Sequence, residues 1–85
     1  MTTFLTAYAE RGYADAVTAS SYRNPHLSSS PAGMAFDVGR WFRRTMTPRF
    51  DRLRMSRGFT LVAEYGDGST IKLRWLGNDR VERVA

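Results

Sequence analysis

Apolar residues recur along this chain at two periods, and the change of period divides it. Leu5, Tyr8, Ala9, Gly12 and Ala16 fall on one side at helical spacing, with Phe4 and Tyr13 flanking them. Thr2 or Thr3 can cap this helix, which is expected to run from Phe4 to about Ala19. Gly12 and Ala16 are small, so a second helix can approach there, although glycine inside a helix costs about 1 kcal/mol. Residues 20–30 have the Ser, Asn and Pro content of a connector, with a turn signal at Asn24-Pro25. A loop of that length permits an antiparallel helix pair. Ser29 or Ser30 can cap the second helix, and Pro31 suits its first turn. Met34, Val38, Trp41, Phe42 and Thr45 give it an apolar face. At about 100° per residue, Phe36, Arg40 and Arg43 fall on the opposite side. Pro48 is expected to stop the helix near Thr47.

After Pro48 the period becomes two. Arg52-Leu53-Arg54-Met55 alternates and reads as either a short edge strand or an arm. Phe59, Leu61, Ala63 and Tyr65 share one face of the next segment, and Gly66-Asp67-Gly68-Ser69 is a hairpin turn. Ile71, Leu73 and Trp75 then lie together with Lys72 and Arg74 opposite, and Gly77-Asn78-Asp79 turns the chain into a short strand from Val81 to Val84. The expected fold is α+β: helix, loop, helix, then a three-stranded antiparallel meander packed on the second helix, with residues 52–55 as an optional fourth edge. Neither element is stable alone, so Trp41 and Trp75 are both expected in the core between helix and sheet. Residues 1–85 form one small domain, with a helical half over 1–47 and a β half over 52–85.

Composition narrows the chemistry. There is no cysteine, so no disulfide or thiolate metal site is open to the chain, which fits a reducing cytoplasm. No apolar run approaches the roughly 20 residues that span a bilayer, and Met1 to Tyr13 lacks the basic start and apolar core of a signal peptide. His26 is the sole histidine and has no companion ligand. Acidic residues are scattered, and Gly66-Asp67-Gly68 lies between strands rather than at a helix N-terminus where it would cradle phosphate. Ser28 to Ser30 reads as loop and cap, not as a nucleophile. No enzyme activity, cofactor, metal or membrane partner is expected.

Charge is the positive signal. The chain carries +5, and all its basic residues except Lys72 are arginine, which pairs with phosphate in a bidentate way and stacks on bases. Between residues 40 and 57, seven arginines (40, 43, 44, 49, 52, 54, 57) face one acid, Asp51, so the rest of the chain sums to about −1. The expected contact surface is Phe36, Arg40, Arg43, Arg44, Arg49, Arg52, Arg54 and Arg57. Phe36 is either a stacking anchor ringed by arginines or a core residue under the Tyr8/Tyr13 side of the first helix.

The helical half also resembles a known family. Arg11-Gly12-Tyr13-Ala14-Asp15-Ala16, Arg23-Asn24-Pro25-His26, Ser30-Pro31 and Ala35-Phe36-Asp37-Val38-Gly39-Arg40-Trp41 are similar to the pattern of ribosome modulation factor and its small relatives. That pattern has an Arg-Gly-Tyr helix, a Pro-containing loop, and a second helix with aromatic, glycine and tryptophan positions. The likeness covers about residues 8–44. Ala16 stands where the family usually has glycine, and the family's loop cysteine and any counterpart of the meander are missing. The resemblance implies contact with RNA or the ribosome. Short length, an α+β fold and the lack of catalytic residues suit two function classes. One is a small basic RNA- or ribosome-associated protein. The other is a small inhibitor or adaptor, of the type phages encode, that docks on an acidic surface of a host protein or nucleoprotein complex. A second copy of the chain is a further candidate partner.

Overall fold

Each helix starts and stops where its local chemistry directs. The computed structural model describes residues 4–18 and 30–84. The expected caps at Thr2, Thr3 and Ser29, the Asn24-Pro25 turn and His26 lie outside the described residues. Helix α1 is Phe4–Thr18 and α2 is Pro31–Arg44. Ser30 caps α2 in an extended conformation, its hydroxyl accepting the Gly33 N–H at 3.1 Å. At the other end α2 stops at Arg44, ahead of Thr47. Thr45 donates its hydroxyl back to the Trp41 carbonyl at 2.8 Å, and Met46 adopts a left-handed φ of 56° that turns the chain before Pro48 is reached.

The sheet has four antiparallel strands rather than three: β1 Arg52–Met55, β2 Thr60–Glu64, β3 Thr70–Gly77 and β4 Arg80–Val84, in spatial order β1-β2-β3-β4. The alternating 52–55 segment is therefore an edge strand, not an arm. Asn78 and Asp79, at φ 46° and 66°, supply the two left-handed positions of a tight hairpin between β3 and β4. The register slips between Trp75 and Gly77 just before that turn.

Period-two alternation sends Leu53, Leu61, Ala63, Leu73 and Trp75 to one face of the sheet, where they meet Met34, Ala35, Val38 and Phe42 of α2 and Leu5 and Ala9 of α1. Both helices cover this face, α1 against β1 and α2 against β3 and β4. Trp75 is buried as expected. Trp41 is only partly buried at the margin, its ring edge-on to Phe42 at 5.1 Å.

The two helices touch backbone to backbone. A Cβ on Gly12 would sit 1.9 Å from the Phe36 carbonyl oxygen, and one on Gly39 would sit 1.8 Å from that of Ala9. This approach buries α2 on almost every side from Gly33 to Arg40. One side of α2 meets the sheet and another meets α1, so the side opposite Met34 and Val38 is not open to solvent. Thr6, on α1, accepts the Leu53 N–H at 3.1 Å and ties that helix to the free edge of β1.

Candidate nucleic-acid interface

Two of the expected contact residues are inside the protein. Phe36 is 4 % exposed and Arg40 is 7 % exposed. Their positions on the α2 wheel are as expected, but that side packs on α1. The Arg40 guanidinium pairs with Asp15 of α1 and, through Nε at 3.0 Å, with Asp79 in the β3–β4 turn. Burial disfavours its charge, but Asp79 and then Asp15 outweigh this and raise its pKa. Arg44 donates to the same Asp79 carboxylate at 2.6 Å and to the Asp79 carbonyl at 3.0 Å. Asp37, 1 % exposed, accepts the Trp75 indole N–H at 2.7 Å and the Asp79 N–H at 3.2 Å. These groups fasten both helices to the last hairpin, so Arg40 and Arg44 hold the fold together. Asp15, Asp37 and Asp79 were not singled out in the sequence, where nothing marks an acid that meets its partner only after folding.

Arg43 and Arg49 gather in the helix layer. Both guanidiniums approach the Tyr13 ring, at 5.9 and 4.9 Å from its centre, and Arg49 lies 3.7 Å from Glu10. Tyr13 is half-buried, as a tyrosine flanking a helix interface should be. Arg57 is exposed in the turn between β1 and β2.

Arg52 and Arg54 go elsewhere. They alternate with Leu53, which is in the core, and so project from the opposite, outer face of the sheet, which neither helix covers. The register sets their neighbours in rows across that face: Arg52 beside Glu64 and Thr70; Arg54 beside Val62, Lys72 and Val84; Thr60 beside Arg74 and Glu82. Arg52 and Arg54 flank Glu64 at 3.3 and 3.5 Å, although Glu64 Oε1 accepts no hydrogen bond. Arg74 lies 3.2 Å from Glu82. Lys72 makes no ion pair among the described residues. Val62 sits in the middle of this face, yet it is only 2 % exposed. Its cross-strand neighbours on that face are Arg54 and Lys72, whose long aliphatic stems suit the covering of such a position. Cations outnumber carboxylates here, and exposed pairs of this kind are worth only about 0.2–1 kcal/mol. Their arginines can therefore exchange a carboxylate for a phosphate at small cost.

The eight expected residues thus do not form one surface. Arg43 and Arg49 gather about Tyr13 in the helix layer, whereas Arg52 and Arg54 lie on the outer face of the sheet, where the register adds Lys72 and Arg74 to them. The signal for those two was the alternation with Ile71, Leu73 and Trp75 that places them opposite the core. No group of three or more acidic or histidine side chains among the described residues is placed to hold a metal ion, and no helix there is long and apolar enough to cross a membrane. Compared with known proteins, the chain matches no family model, no curated protein and no solved structure.

Proposed function

We propose that the protein is a small non-enzymatic RNA-binding protein whose outer sheet face, rather than α2, contacts phosphates. The observation that carries this is the row structure of that face. Arg52 and Arg54 on β1 and Lys72 and Arg74 on β3 form two cationic ridges on either side of β2, with both helices on the other face of the sheet. Residues two apart on one strand stand about 7 Å apart, and β1 and β3 lie about 9.6 Å apart across β2. Cations so spaced can reach successive phosphates or two neighbouring strands.

The face carries no aromatic side chain among the described residues. It has no platform on which bases stack, so binding is to the backbone and tolerates any sequence. The choice of RNA over DNA rests on the resemblance of residues 8–44 to ribosome modulation factor; the phosphate surface itself suits both.

Titrating a short RNA of mixed sequence into isotope-labelled protein tests the reading by amide chemical shifts. Shifts centred on Arg52, Arg54, Val62, Lys72 and Arg74 are expected, and a DNA of the same sequence should bind more weakly. Shifts confined to Tyr13, Arg43 and Arg49 would move the site to the helix layer.

A further inference from the structure

The two edges of the sheet are finished differently. On β1 the outward N–H of Leu53 is taken by Thr6 in a buried hydrogen bond. On β4 nothing comparable occurs. Trp75 donates to the Phe59 carbonyl at 2.8 Å and Tyr65 to that of Ser69 at 2.9 Å, so the odd-numbered residues of β3 bond to β2. Its even-numbered residues, Lys72 and Arg74, then bond to Val84 and Glu82 of β4. Val81 and Arg83 are left with N–H and C=O directed outward, and no side chain among the described residues meets them.

Beside this edge runs a groove. One part, of about 430 Å³, is walled by Thr47, Pro48, Tyr65, Ile71 and Arg83. It continues into a second part of about 300 Å³, which shares Thr70, Ile71 and Arg83 with the first and reaches Lys72 and Val84. Arg83 stands where edge and groove meet. It is exposed, and it makes no hydrogen bond or ion pair through its side chain among the described residues. Lys72, at the other end of the groove, is equally without an ion pair there. The groove's one acid, Asp67, is already occupied by the N–H and hydroxyl of Ser69, at 2.9 and 2.6 Å.

Free strand groups, an adjoining groove and an unpaired cation are the parts of a strand-addition site. We propose that β4 and this groove bind an extended acidic segment of a partner protein. The segment's main chain pairs with the outward groups of Val81 and Arg83, and one of its carboxylates meets Arg83 at the mouth of the groove. A second copy of the chain is the poorer occupant. Pairing two β4 strands through Val81 and Arg83 would set two Glu82 carboxylates face to face, and like charges opposite one another destabilise a ladder. The site adjoins the phosphate face at Lys72 and Val84, but Arg83 and the outward groups of β4 lie outside that face, so the proposal stands without it.

The probe is a fluorescent peptide alternating aspartate and valine, with a lysine–valine peptide of the same length as control. The acidic peptide is expected to bind the full chain, to shift the amides of residues 80–84, and to lose about tenfold in affinity with Arg83→Ala. Arg83→Pro should lose more, because it removes the outward N–H as well. Its melting should hardly change, since proline is tolerated on an edge strand where the N–H faces away from the ladder. Equal binding of both peptides, unchanged affinity in both Arg83 variants, or shifts elsewhere would overturn the proposal. So would a short RNA that displaces the peptide from the β4 amides, which would make this edge part of the nucleic-acid surface.

Discussion

Arg40 and Arg43 are neighbours in sequence and one helical turn apart in role. Arg40 lies between Asp15 and Asp79 with its side chain 9 % exposed. Removing it takes the partner from Asp15, which is only part-buried, while Asp79 keeps Arg44, and Arg40→Ala should cost about 1–3 kcal/mol in denaturant unfolding. Arg43→Ala gives up a half-buried contact with Tyr13 and should cost about 1 kcal/mol. Phe36→Ala should lose about 3–5 kcal/mol as a core residue, which identifies it as packing rather than as an anchor for a base.

Helical periodicity placed Phe36 and Arg40 correctly around α2. It did not reveal that α1 occupies that side, because the contact depends on two glycines and on acids far away in the chain. Tyr65 adds a test in pH. Its hydroxyl donates to the Pro48 carbonyl at 2.6 Å, and burial raises its pKa above the usual 10.0 while Arg83 acts against the rise. A phenol that ionises less readily when folded contributes stability in full below about pH 10 and loses it as the pH climbs through the folded value. The melting temperature should fall over that alkaline range, and Tyr65→Phe should flatten the fall.

At the scale of elements, the helix pair depends on Gly12 and Gly39. Each Cβ would enter the other helix's backbone, which cannot rotate aside as a side chain can. Gly12→Ala and Gly39→Ala should each destabilise by about 1–3 kcal/mol or more, in spite of alanine's better helix propensity. Both are relieved by the same separation of the helices, so the double variant should lose less than the sum of the two when melted.

The small residue at Gly12 was legible as a place of close approach. Gly39 was not, since a glycine inside an arginine-rich helix carries no sign of what it faces. The β half was more legible, because Leu61, Leu73 and Trp75 obey the two-residue period and the turns carry Gly, Asn and Asp. The fourth strand was the ambiguous part. Four alternating residues with arginine at two of them fit an arm as well as an edge, and pairing with β2 decides between them.

For the whole molecule, nearness along the chain is a poor guide to nearness in space. The arginines from 40 to 57 read as one basic patch, but the chain passes through two layers over that span. Arg40 is enclosed, Arg43 and Arg49 surround Tyr13 in the helix layer, and Arg52 and Arg54 emerge on the outer sheet face. The charge balance along the chain therefore did not show how the folded protein distributes these arginines. Lys72 and Arg74, distant from the run, complete the face through the β2–β3 register.

The salt dependence of RNA affinity tests this account most directly. Each phosphate contact with a single strand contributes about 0.7 to the slope of log affinity against log salt concentration. Arg54→Ala/Lys72→Ala removes one cation from each ridge and should lower the slope by about 1.4, while Arg43→Ala/Arg49→Ala should leave it unchanged. A slope that falls in the helix-layer variant and holds in the sheet variant would contradict the assignment of the outer face.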